Sequence, residues 1–342
     1  MEAASVASGG HSILERSPLA RLPDRALRWG LTVLAASILA LIVYFFVKLV
    51  GEAGPAFSKF GVLGFTFGNE WNVSANHFGA LPLLLGTLIT SGLALVIGVP
   101  VAVATALYIT ELCPLRIRGP VTILIELLAA VPSVVYGLWG IFFLAPKLQP
   151  AEQWVADRLS FIPFVGGGLA TIPNFFITGL VLAIMILPIV SSLSREVMST
   201  VPSDHKEAAL GLGATRWEMI RTAVLPYCRS GITGAAMLGL GRAIGETIAV
   251  TILVGNDPKM PTHLFDQGYS LAASIANEFG EAQELHRSAL FAAGLVLFVL
   301  TLLVNVIARL LVLRAARSTK PKRTAADFAE AGAPPLGAGL SQ

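Results

Sequence analysis

Long apolar stretches alternate with short polar connections along this chain, and six of the stretches can cross a hydrocarbon core about 30 Å thick. They run Trp29–Val50, Gly79–Thr110, Thr122–Leu144, Asn174–Leu193, Tyr227–Leu253 and Ser288–Val312. None alternates strictly between apolar and polar residues, which argues against a β-barrel and for helices that satisfy their own backbone groups. Pro82, Pro100, Pro132 and Pro188 fall in or near these spans and predict kinks. The second span is too long to run straight, and Gly98-Val99-Pro100 is its predicted bend. The longest polar connection, 195–226, reads as two short helices. Pro202-Ser203-Asp204 offers a turn with Ser203 as N-cap, and Gly211 and Gly213 close the first helix. Thr215 and Glu218 have capping-box spacing for the second, which Leu225-Pro226 is expected to stop.

Composition agrees with a membrane protein: 55% of the 342 residues are apolar and only 13% charged, against about 25% in soluble domains. The expected class is an all-α integral membrane protein of six transmembrane helices. A soluble enzyme, a nucleic-acid binder and a disordered chain are all excluded. The two cysteines, Cys113 and Cys228, make no disulfide scaffold and are expected to be reduced. No P-loop, nucleophile elbow or zinc-protease motif occurs, the five histidines are scattered, and no metal or resident cofactor is expected.

The charges matter for where they sit. Arg16, Arg21, Arg25 and Arg28 precede the first span, Arg116 and Arg118 lie in the second connection, and Arg195, Lys206, Arg216, Arg221 and Arg229 lie around the fourth. Arg309, Arg314, Arg317, Lys320, Lys322 and Arg323 close or follow the last span. The alternate connections hold fewer basic residues and most of the loop acids. The positive-inside rule then places both termini in the cytoplasm. The expected organisation is a cytoplasmic tail (1–28), a membrane domain (29–314) and a disordered cytoplasmic tail (315–342), with an uncleaved first span.

One basic residue has no cheap position. Arg242 lies inside the fifth span with Glu246 four residues on, and either charge costs about 2.5–3.5 kcal/mol near the bilayer centre. On a continuous helix the two share a face beside a stripe of Gly234, Gly241 and Gly245, a stripe expected to pack closely on another helix. Two readings stand. The pair is a neutralising intrahelical salt bridge at a helix interface, or Arg242 grips an oxyanion on a path. Glu126 is a further intramembrane acid, either solvated near a span end or part of a path, with Ser133 and Tyr136 as candidate path donors.

Glu207-Ala208-Ala209, Gly213 six residues after the Glu, and Leu225-Pro226 resemble the EAA loop of ABC-importer permeases, with Ala223 where a larger aliphatic is usual. The resemblance implies that Glu207, Ala208, Ala209, Leu210 and Gly213 form a coupling helix docking on an ATP-hydrolysing subunit. Gly241-Arg242-Ala243-Ile244-Gly245-Glu246-Thr247 resembles the fifth-helix signature of phosphate-importer permeases. The segments Glu126–Gly137, Ala272–Glu281 and Ser288–Phe291 extend the likeness to the PstC-type subunits. This implies a MetI-like permease fold in a bacterial cytoplasmic membrane, with Arg242, Glu246 and Thr247 on a phosphate path. It also implies as partners a homologous PstA-type permease, a PstB-type ATPase dimer and an extracytoplasmic PstS-type phosphate-binding protein, with ATP used only in the ATPase. A permease for sulfate or molybdate, or an ion-coupled secondary transporter, is the alternative.

Overall fold

The computed structural model describes residues 22–166 and 169–317. Residues 1–21 and 318–342 of the two expected tails lie outside the described residues. The first helix, α1 (Leu22–Phe60), starts before the predicted span and runs ten residues past it. A short helix α2 (Val62–Phe67) and a two-stranded hairpin follow, in which β1 (Trp71–Asn72) pairs antiparallel with β2 (His77–Phe78). The hairpin caps one end of the bundle with an aromatic cluster. Trp71 meets Phe65 and Phe78 edge-on, Phe78 stacks on His286, and Glu278 Oε2 accepts from Trp71 Nε1 and contacts His286 Nε2 at 2.7 Å.

Helix α3 (Leu81–Leu107) carries Pro82 in its first turn, where a missing N–H costs nothing, and runs on through Pro100 into a π-turn, Tyr108–Leu112. It packs against α7 (Phe175–Ser199), the most enclosed helix of the bundle. Glycines set that approach: a Cβ at Gly98 would lie 3.0 Å from the Ala183 carbonyl oxygen, and one at Gly179 would lie 2.5 Å from Leu93 Cβ. Asn174 starts α7 by accepting from the Ile177 amide, while its amide group donates to the buried Glu152.

The predicted third span is not one helix. α4 (Leu115–Ala130) stops where Val131 and Pro132 take extended backbone, and α5 (Ser133–Trp139) sets off through a π-turn, Gly140–Leu144, into α6 (Ala145–Arg158). The two halves meet at 92°. Pro132 supplies the break, because the residue before a proline is pushed out of the helical region. The fifth predicted span is broken as well, and no helix within it is long and apolar enough to cross a membrane by itself. Of the six predicted spans, then, four appear as single long apolar helices and a fifth as the bent pair.

The connection after α7 forms α8 (Ser203–Gly211) and α9 (Arg216–Met219). Pro202, not Ser203, holds the N-cap of α8, and the Ser203 hydroxyl turns to Asp204 instead. The glycine stop is as the sequence indicates. Gly213 has φ +86°, its amide donates to Leu210 O and that of Ala214 to Ala209 O, a Schellman arrangement. The capping box forms, with Thr215 accepting from the Glu218 amide and Glu218 accepting from the Thr215 amide. Leu225-Pro226 does not end this helix. A π-turn, Ile220–Val224, carries it directly into α10 (Leu225–Gly245), with Pro226 in the first turn of α10. The wider turn relocates the hydrogen bonding so that the proline meets no i−4 carbonyl. After α10 come α11 (Ile248–Leu253), α12 (Leu271–Glu278) and α13 (Glu284–Arg317), the last packed on α1. Both cysteines are buried and free.

Candidate functional site

The face by which α10 packs is not the one expected. A Cβ at Gly231 would strike Val197 at 2.4 Å and one at Gly239 would strike Val190 at 2.7 Å, so these glycines seat α10 on α7. Gly234, Gly241 and Gly245 meet nothing within 4 Å. The expected packing stripe is the open side, and Arg242 lies along it, exposed.

Arg242 and Glu246 do not share a helical face. α10 ends at Gly245; Glu246 has φ −71° and ψ 127°, extended backbone, and Thr247 precedes the new helix. Gly245 is what lets the chain leave the helix here, as glycine carries the weakest helical preference short of proline. Glu246 Oε1 turns forward to within 3.4 Å of the Ala249 amide, helping to hold the first turn of α11. Among the described residues no ion pair joins Arg242 to Glu246. The intrahelical salt bridge is therefore absent, for a backbone reason.

The two helix breaks sit together. α5 packs on α11 through Gly137, where a Cβ would stand 2.9 Å from Ile252 Cδ1 and 3.2 Å from Ala249 Cα. This brings α5, with the half-buried Ser133 and the buried Tyr136, beside the segment that starts α11. The Tyr136 hydroxyl donates to Leu128 O at 2.8 Å, spanning the Pro132 break. Thr247 is half-buried, its hydroxyl 3.3 Å from Gly245 O.

On its other side Arg242 lines a groove of about 780 Å³ between α10 and α13, together with Gly234, Gly241, Asn305 and Arg309. Neither Asn305 nor Arg309 is legible as a site residue in the sequence: Arg309 reads there as one of the basic residues that close the last span, and its spacing from Arg242 carries no hint of proximity. Glu126 lies elsewhere, pairing with Arg195 at 2.8 Å with its side chain half exposed.

The elbow of α8 and α9 occupies the opposite end of α3 from the hairpin. Lys206 ties it down through a 2.6 Å ion pair with Glu111, whose side chain is largely buried. Ala209 packs beneath it with Met198, Met219, Ile220 and Val224. Glu207, Ala208 and Gly213 are exposed, as are the apolar Leu210, Leu212 and Trp217; Leu212 is 90% exposed. Only one side of the elbow folds back on the bundle, and these apolar side chains are left outward. Thr215 holds the Glu218 carboxyl below the ordinary carboxylate range through backbone and hydroxyl hydrogen bonds.

The model of the family described as "Binding-protein-dependent transport system inner membrane component" matches residues 98–317. The chain is 44% identical over 285 residues to the phosphate transport system permease protein PstC of Pasteurella multocida, covering 82% of this chain and 88% of that protein. It is also 44% identical over 290 residues to the protein of that name from Mesorhizobium japonicum, covering 83% and 88%. Among solved structures, it superposes on a chain of a bacterial ABC transporter involved in the import of the acidic polysaccharide alginate. The TM-score is 0.56 at 22% identity, over 87% of this chain and 99% of that one. A second structure, of the alginate transporter with a pentasaccharide-bound periplasmic protein, gives 0.59 at 19% identity, over 86% and 98%. At these identities the structural likeness is one of fold alone.

Proposed function

Because the chain belongs to the family of binding-protein-dependent transport system inner membrane components, we propose that it is a permease subunit of an ATP-driven inorganic phosphate importer. It forms half of the translocation path and couples to the ATPase through the elbow of α8 and α9. The phosphate transport permeases it is similar to support the substrate. The structural observation that carries the reading is Arg242: an always-charged guanidinium, free of any carboxylate among the described residues, beside two adjoining helix breaks in an apolar bundle. Such a group grips a tetrahedral oxyanion through two parallel hydrogen bonds. Broken helices at mid-bundle are a recurrent way of exposing polar backbone to a solute.

The partners in this reading are a homologous permease against the open Gly234–Gly241–Gly245 side, an ATPase dimer on the elbow, and an extracytoplasmic phosphate-binding protein at the hairpin end. Both termini are cytoplasmic, ATP is hydrolysed in the separate ATPase, and this chain needs no cofactor of its own. Closure of the ATPase dimer pushes the elbow, and because the π-turn makes α9 continuous with α10, the push reaches Arg242 as a rigid-body movement. A secondary carrier has no use for an outward apolar elbow, which disfavours that alternative.

The test is uptake of radiolabelled phosphate by vesicles holding the assembled transporter. Arg242→Ala should reduce uptake by at least 100-fold, in the range of about 2.7–4 kcal/mol for losing a charge-assisted contact, with all subunits still copurifying. Normal uptake by that variant sinks the path assignment, and phosphate entry without ATP sinks the importer.

A further inference from the structure

The groove between α10 and α13 holds a second arginine. Arg309 and Asn305, one turn apart on α13, line it opposite Arg242. Arg309 is not a residue of the helix end: α13 runs on to Arg317, about 12 Å further at 1.5 Å per residue. On α10 the groove spans Gly234 to Arg242, well inside a helix that starts at Leu225. Arg309 stands at the end of the apolar span Glu284–Leu310, so its guanidinium marks the end of the groove away from the hairpin, while Arg242 lies further along it.

Neither Arg242 nor Arg309 forms an ion pair among the described residues, and no Asp or Glu lines the groove. Two permanent positive charges facing one cavity repel each other, and more strongly in an apolar bundle than in water. An anion between them reverses the sign of that energy. Asn305 adds a neutral amide, which donates to oxygen without adding charge. Met237 and Leu238 on α10 and Ile189 on α7 make the rest of the lining apolar, while Gly234 and Gly241 leave their backbone close to whatever occupies the groove.

We propose that Arg309 and Asn305 form, with Arg242, an oxyanion-binding station in the groove between α10 and α13, taking inorganic phosphate or the phosphate of a lipid headgroup. The proposal rests on the reading of Arg242 as a path residue and extends it to a second helix. Phosphate leaving the helix breaks next to Arg242 passes to Arg309 on its way to the elbow end of the bundle.

The experiment is ATP-driven uptake of radiolabelled inorganic phosphate by proteoliposomes of the whole transporter with its phosphate-binding protein. Arg309→Ala should cut uptake at least tenfold and Asn305→Ala a few-fold, with the subunits copurifying in wild-type proportion. Arg309→Lys, which keeps the charge and loses the planar fork, should fall between Arg309→Ala and the unsubstituted protein. Each is measured in phosphatidylcholine alone and with phosphatidylglycerol added. The phosphate of phosphatidylcholine is neutralised by its own choline, so a loss in both membranes assigns the station to free phosphate, and a loss only with phosphatidylglycerol assigns it to the phosphate of an anionic lipid headgroup. Unsubstituted-level uptake by Arg309→Ala in both membranes overturns the station, as does disassembly of the complex by both Arg309 variants, which would make Arg309 a subunit contact. If Arg309→Ala transports normally while Arg242→Ala is dead, the station falls and the path reading survives; if both transport normally, the path reading falls too.

Discussion

Two glycines two residues apart on α10 separate packing from path. At Gly239 a Cβ would come within 2.7 Å of Val190 Cγ2, against the 3.4 Å at which ordinary contact begins, and Ile186 Cβ closes the same side at 3.5 Å. Val190 and Ile186 are both fully buried, and a β-branched valine has little rotamer freedom with which to retreat. At Gly241 the added methyl meets nothing within 4 Å. Glycine to alanine in a helix interior gains about 0.8–1 kcal/mol from propensity, and this gain is common to both variants. Comparing Gly239→Ala with Gly241→Ala cancels it and leaves the overpacking cost, about 1–3 kcal/mol. At about 2.1 cal/mol/K per residue, a membrane domain of roughly 290 residues shifts by about 1.6 °C per kcal/mol, so the two variants should melt roughly 2–5 °C apart. Thermal unfolding of the purified subunit in detergent measures this, with Gly239→Ala the less stable. Equal melting temperatures, or a lower one for Gly241→Ala, would refute the assignment of the α7-facing and open sides of α10. Gly241→Leu then adds a functional arm: it should not lower the isolated subunit's melting temperature, and it should impair pairing with the second permease.

Other consequences concern the elbow. Leu212→Asp should change subunit stability by less than about 0.5 kcal/mol, because the side chain is almost wholly exposed, while copurification of the ATPase falls sharply; full retention would remove the docking role. Lys206→Ala leaves the largely buried Glu111 without its 2.6 Å partner and should cost roughly 2 kcal/mol, less than a fully buried pair would. Hydrogen exchange in α8 should quicken accordingly. Glu218 titrates below its ordinary value of 4.5 because Thr215 holds the charged form. A depressed carboxylate contributes stability above the unfolded value and loses it as pH falls through the folded one. Protection factors of the α9 amides, taken relative to unstructured peptide at each pH, should therefore be flat from neutral pH down to that ordinary value and fall only below it. A fall beginning near neutrality would contradict the capping box.

The sequence by itself determined the class, the approximate place of the long apolar helices, and the local chemistry of the elbow. These are one-dimensional properties: an apolar run of sufficient length, a Thr-x-x-Glu spacing, and a glycine where the backbone must turn left-handed. The likeness to importer permeases was legible for the same reason, since Glu207-Ala208-Ala209 and Gly241–Thr247 are contiguous strings. The structure decided what depends on two segments meeting. Periodicity along α10 shows which glycines share a stripe but not which stripe touches α7, because either side of a glycine-rich helix can accept a neighbour. Helical projection also assumes that the helix continues, and the break at Gly245 takes Glu246 off the face it would otherwise share with Arg242. Pro226 illustrates the converse, a proline that stops a helix by local rule and is carried through by a π-turn. Arg309 was the residue least legible from the chain: it lies 67 positions beyond Arg242 in the sequence, and only the packing of α13 beside α10 puts the two charges on one groove.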